Sequence, residues 1–135
     1  MKNNPNFNRK ELTLLKVNLG SLYLFDDYVV VELKERVDIN FDIFSEVTEI
    51  IKKQFIDKPF GFIANRLKSY SINIMDAPKF NAYFANLVAY TIVAYTEMTQ
   101  RIFELENHLF TFNREAFKNL EHAVQWVEKT LSINS

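Results

Sequence analysis

The order in which apolar segments are punctuated constrains this chain more than any single motif. Leu22 to Leu33 reads as a β-hairpin around Asp26-Asp27, and three rounds of buried strand then amphipathic helix follow it. Strands that alternate with helices favour parallel pairing, and strand twist makes the crossovers right-handed. Parallel strands joined in this way leave a crevice at their carboxyl ends, where α/β proteins bind ligands. The expected fold is therefore α/β: a mixed sheet of about five strands, hairpin first and parallel βα units after, packed with about four helices.

Each segment carries its own signal. Leu12, Leu14 and Leu19 to Phe25 have a strand-like arrangement, with Gly20 as a bend or bulge. Tyr28 to Leu33 returns as a β-branched strand. Asn40 is placed to cap a helix over about Phe41 to Phe55, with Ile43, Phe44, Val47, Ile50, Ile51 and Phe55 at helical spacing. Pro59 stops that helix, and Phe60 to Ala64 is a short apolar run suited to an interior parallel strand. Asp76-Ala77-Pro78 reads as a helix start, with Asp as cap and Pro in the first turn. Val88 to Tyr95 is the clearest strand. Thr96 then caps a helix whose expected buried stripe is Met98, Ile102, Leu105 and Leu109, widened by Phe103. Phe110, Phe112 and Phe117 mark a short edge strand, and Asn119 caps a last helix carrying Leu120, Ala123, Val124, Val127 and Leu131. Residues 1–11 read as a flexible segment and 12–135 as one domain.

Composition narrows the function classes. The 16 basic and 17 acidic residues give a net charge of −1 with no long basic run, so the footprint of a nucleic-acid binder is missing. The chain has no cysteine, which excludes disulfides and thiol chemistry. Phe84 to Tyr95 is the longest nearly apolar run and is too short to span a bilayer, so no membrane partner is expected and the location is read as cytoplasmic. With 13 Phe against two Gly and three Pro, the core should be packed mainly by aromatic rings.

Several of these residues carry a family likeness. Phe112-Asn-Arg-Glu-Ala-Phe117 leading into His122-Ala123-Val-Gln-Trp126-Val resembles the final strand and helix of SpoIIAA-like, or STAS-type, domains. Phe60 to Ala64 with Asn65-Arg66 and Ser69-Tyr70-Ser71 resembles a flavobacteria-like variant of that group, and the match in element order runs over about residues 12 to 133. The resemblance implies a SpoIIAA-like βα superhelix acting as a regulatory or protein-interaction module, not an enzyme, with a protein partner and a homodimer among the options. Phospho-switched members carry an Asp-Ser-Ser-Gly-like motif where this chain has Asp76-Ala77-Pro78, with neither Ser nor Gly.

The candidate site is the stretch after the second strand, Asn65, Arg66, Lys68, Ser69, Tyr70 and Ser71, as a ligand- or partner-binding loop. It gathers an amide, two cations, two hydroxyls and a phenol, and Arg and Lys beside hydroxyls can grip a carboxylate or phosphate. The bland alternative is a polar loop bonding its own backbone. His108 and His122 are the only imidazoles, with no metal-ligand spacing; no catalytic residue, metal site or cofactor is assigned. Glu32, Glu35, Asp38 and Asp42 read as solvated positions, and Trp126 with the other rings as core. A second hypothesis is a carrier that holds a small apolar or anionic ligand between sheet and helices.

Overall fold

The computed structural model describes residues 13–34, 38–67, 71–72, 74–111 and 113–134. The expected flexible segment 1–11 lies outside these, as do Leu12, Glu35, Lys68, Ser69, Tyr70 and Phe112.

Three antiparallel strands open the fold: β1 (Thr13–Val17), β2 (Gly20–Leu24) and β3 (Tyr28–Leu33). Asn18 and Leu19 turn the chain between β1 and β2, so the single bulged strand expected here is two strands. Gly20 is needed at that corner. Its φ of +157° is one that L side chains rarely adopt, and a Cβ there would sit 2.0 Å from the Glu32 carbonyl oxygen on β3. The Asp26-Asp27 turn is as expected, closed by the Phe25 N–H donating to the Tyr28 carbonyl at 2.9 Å.

The parallel half follows through three crossovers. After the two-residue β4 (Asp38–Ile39), α1 (Ser45–Gln54) leads to β5 (Phe60–Arg66). Asn40 does cap this turn, its Oδ1 accepting from the Ile43 N–H at 2.8 Å. The chain leaves α1 through Asp57 at φ 54°, a left-handed residue past a helix end. A second short strand, β6 (Ser71–Ile72), pairs in parallel with β4, and α2 (Ala77–Tyr83) leads to β7 (Leu87–Ala94). Then α3 (Glu97–Glu106), β8 (Arg114–Phe117) and α4 (Leu120–Asn134) complete the chain. Thr96 and Asn119 act as the expected caps, through Thr99 N–H at 3.2 Å and His122 N–H at 2.8 Å. Asp76 stands at the start of α2, but its carboxylate accepts from the Phe41 N–H at 2.7 Å instead of capping the helix.

The main sheet has six strands in the order β1-β2-β3-β5-β7-β8. Strands β5 and β7 lie side by side and parallel, with Ile63 opposite Thr91. From β3 onward each strand is added next to its predecessor, so the order never reverses. A crevice of the doubly wound type forms at such a reversal, and this sheet has none. Helices α1, α2 and α3 contribute Val47, Ile51, Phe80 and Phe103 to the core on one face, while Ala123, Val127 and Leu131 of α4 pack the other. Gly61 lets α4 approach β5 closely, since a Cβ there would meet Val127 Cγ1 at 2.4 Å. Among the described residues, no helix is long and apolar enough to cross a membrane.

Helix α3 departs from expectation. Its buried residues are Phe103 and Glu106, whereas Met98 and Leu105 are 66% and 75% exposed and Ile102 and Leu109 are exposed too. At about 100° per residue, the docked line is turned roughly a quarter-circle from the apolar stripe. The Phe103 ring and the ion pairs of Glu106 select that line.

Candidate functional site

On the face carrying α1 to α3, rings fill most of the space. Phe55 stacks on Phe60 at 4.7 Å, Phe62 on Tyr90 at 5.2 Å, and Phe41 meets Phe80 edge-on at 5.1 Å. Rigid rings tile imperfectly, and a cavity of about 60 Å³ remains between the sheet and the helical layer. Val31 and Leu33 of β3, Phe62 of β5, and Leu87 and Tyr90 of β7 form its floor. Phe44, Phe80 and Phe84 come from the helical side, and Phe110 and Arg114 from the approach to β8. Asn81 of α2 ties that approach down, donating to the Leu109 carbonyl at 3.1 Å and accepting from the Thr111 N–H at 3.0 Å. Arg114 is the only charged residue in the wall.

Strand alternation turns Arg114 toward the helical face, where aromatic side chains hold its guanidinium. Its central carbon lies 4.9, 4.4 and 4.5 Å from the ring centres of Tyr90, Phe103 and Phe110. Nη1 donates to Asn107 Oδ1 at 3.1 Å. Nη2 lies 3.7 Å from Glu106 Oε1, and Arg66 Nη2 lies 3.9 Å from the same oxygen. Both separations exceed a direct hydrogen bond. Among the described residues, Arg114 Nε and Glu106 Oε1 have no hydrogen-bond partner. The Arg114 and Glu106 side chains are only 3% and 8% exposed. This arrangement can hold an anion beside an apolar hollow; no nucleophile lines it.

The predicted loop is divided by the pleat. Asn65 and Arg66 are the last residues of β5, both buried, and they face opposite sides of the sheet. Arg66 joins Glu106 and Arg114. Asn65 lies on the α4 side, donating from Nδ2 to Glu32 Oε2 at 2.8 Å and accepting from the Tyr95 hydroxyl at 2.7 Å. Lys68, Ser69 and Tyr70 lie outside the described residues, and Ser71 enters β6 through its backbone pairing with Asp38.

Glu32 was expected in solvent and is instead buried. The Tyr23 hydroxyl donates to its Oε1 at 3.3 Å. A carboxylate inside an interior strand is tolerated because both oxygens find donors. Burial, then the Glu32 charge and the hydrogen bond to it, push the Tyr23 phenol up to about 12 from 10.0. Burial and the Glu32 charge raise the Tyr95 phenol too, while Asn65 opposes them. A phenol harder to ionise in the folded state stabilises fully below pH 10 and loses that contribution as pH rises toward 12. The loss should reach roughly 2–3 kcal/mol. Denaturant unfolding at pH 9 and above should show it, and a Tyr23→Phe variant should lose less over that range. Equal losses in both proteins would contradict this account.

Asp42, His108 and His122 are exposed, and the His122 ring meets only the Asn119 side chain at 3.2 Å. Among the described residues no three His, Asp or Glu side chains gather into a metal site. Sequence reasoning missed Glu32, Glu106 and Arg114. One signal was available for Glu32: it interrupts a strand whose other five residues, Tyr28-Val-Val-Val and Leu33, are apolar or aromatic and all buried. No family model, curated protein or solved structure matches the chain.

Proposed function

We propose that this chain is a non-enzymatic binding module that holds a small ligand with an apolar body between its sheet and the α1–α3 layer. The observation that carries the reading is the cavity of about 60 Å³ lined by carbon, with one cation in its wall. Interiors normally close voids of this kind, and keeping one costs on the order of 1–2 kcal/mol. Apolar cavities stay dry and accept apolar guests. Amide NMR under xenon pressure and with benzene should move resonances of Val31, Phe62, Tyr90 and Phe110 together, and the guest should raise the unfolding temperature. Leu87→Phe, which fills the cavity from its floor, should remove both responses. An unperturbed spectrum under both guests would end this reading.

A second reading, a protein-interaction module that pairs with another copy of itself, is favoured by the exposed stripe on α3. In a two-fold antiparallel pair of these helices, the polar flank of one runs along the same flank of the other. That register sets Arg101 opposite Glu104 of the second copy. Light scattering over a concentration series should then show a dimer that Leu105→Asp converts to a monomer. A monomer at every concentration would exclude it.

A further inference from the structure

We infer that the ligand of this cavity is a small monocarboxylate, its head group taken by the Nε–Nη2 edge of Arg114; the inference rests on the cavity-binding reading above. The edge is built for it. Nη1 is already committed to Asn107, while Nε has no hydrogen-bond partner among the described residues, although the side chain is only 3% exposed. Nη2 meets Glu106 at 3.7 Å, which leaves room for a closer acceptor. Nor is Glu106 committed to Arg114 alone, since its Oε1 lies within 4.0 Å of Arg66 as well.

Geometry selects the head group. The Nε–Nη2 edge offers two parallel N–H donors in one plane, which match the two oxygens of a carboxylate. The rings of Tyr90, Phe103 and Phe110 around the guanidinium fix that plane before any ligand arrives. A tetrahedral dianion would keep charged oxygens against a wall that is otherwise aromatic and aliphatic. A carboxylate with a short alkyl or aryl body puts its two oxygens on Arg114 and its carbon in the hollow.

Calorimetric titration of the full chain with butyrate and benzoate, each against its isosteric amide, butyramide or benzamide, tests this without any variant. The acids should bind at least ten-fold more tightly than the amides. Arg114→Lys, which keeps the charge but loses the planar fork, should weaken the acids about ten-fold and leave the amides unchanged; Arg114→Met should abolish the preference. Equal affinity for acid and amide in the wild type, or an acid preference surviving both substitutions, would overturn the assignment. So would failure of acids and amides to bind while xenon still enters. If xenon also stays out, the cavity reading falls with it.

Discussion

Glu106→Gln should lower the unfolding free energy by about 3–5 kcal/mol, the cost expected when one partner of a buried ion pair is removed. Glu106 is the one carboxylate within 4.0 Å of both Arg66 and Arg114 among the described residues. Glutamine keeps the shape and removes the charge, so the guanidiniums stay buried with that attraction gone. At the usual unfolding entropy for a chain of 135 residues, the melting temperature should fall by roughly 10–18 °C. Calorimetry or a denaturant curve at neutral pH would measure it. A loss below about 1 kcal/mol would show that the cluster is better solvated than its burial implies.

Phe60→Ala should cost a similar amount, about 3–5 kcal/mol, by deleting a fully buried ring and leaving a hole. Phe60 is 1% exposed, stacked on Phe55 at 4.7 Å and edge-on to Phe84 at 6.0 Å. It anchors the first residue of β5 beneath α1 and α2, so little around it can collapse into the space. Because the rings interact beyond their buried area, Phe55→Ala and Phe60→Ala should couple by about 0.5–1.5 kcal/mol in a double-mutant cycle. Strict additivity, or a Phe60→Ala cost near that of truncating the exposed Ile56, would contradict the packing described.

Local chemistry was readable from the residues wherever it acts over a few positions. The turn at Asp26-Asp27, the caps Asn40, Thr96 and Asn119, and the interior strands around Phe62 and Ile92 all stand where short-range rules put them. The turn at Asn18 was missed because the apolar run of β2 masks the corner that precedes it. The candidate loop was half legible. Arg66 is a buried cation beside the cavity, but Asn65, its neighbour in sequence, serves a separate network with Glu32 and Tyr95 on the opposite face. Arg114 gave no warning, because a lone arginine near an edge strand reads as solvated until its aromatic neighbours are assembled.

Periodicity and capping by themselves determined the order of strands and helices, the parallel pairing of β5 with β7, and which side chains share a face. Only the tertiary structure decided which of those faces is docked. Helix α3 shows why: its apolar stripe points to water while Phe103 and Glu106 are buried, because ion pairs with Arg66 and Arg114 reach across 40 and eight positions of chain. A helical repeat records angles about one axis, and the choice of side belongs to whatever the rest of the fold brings against it.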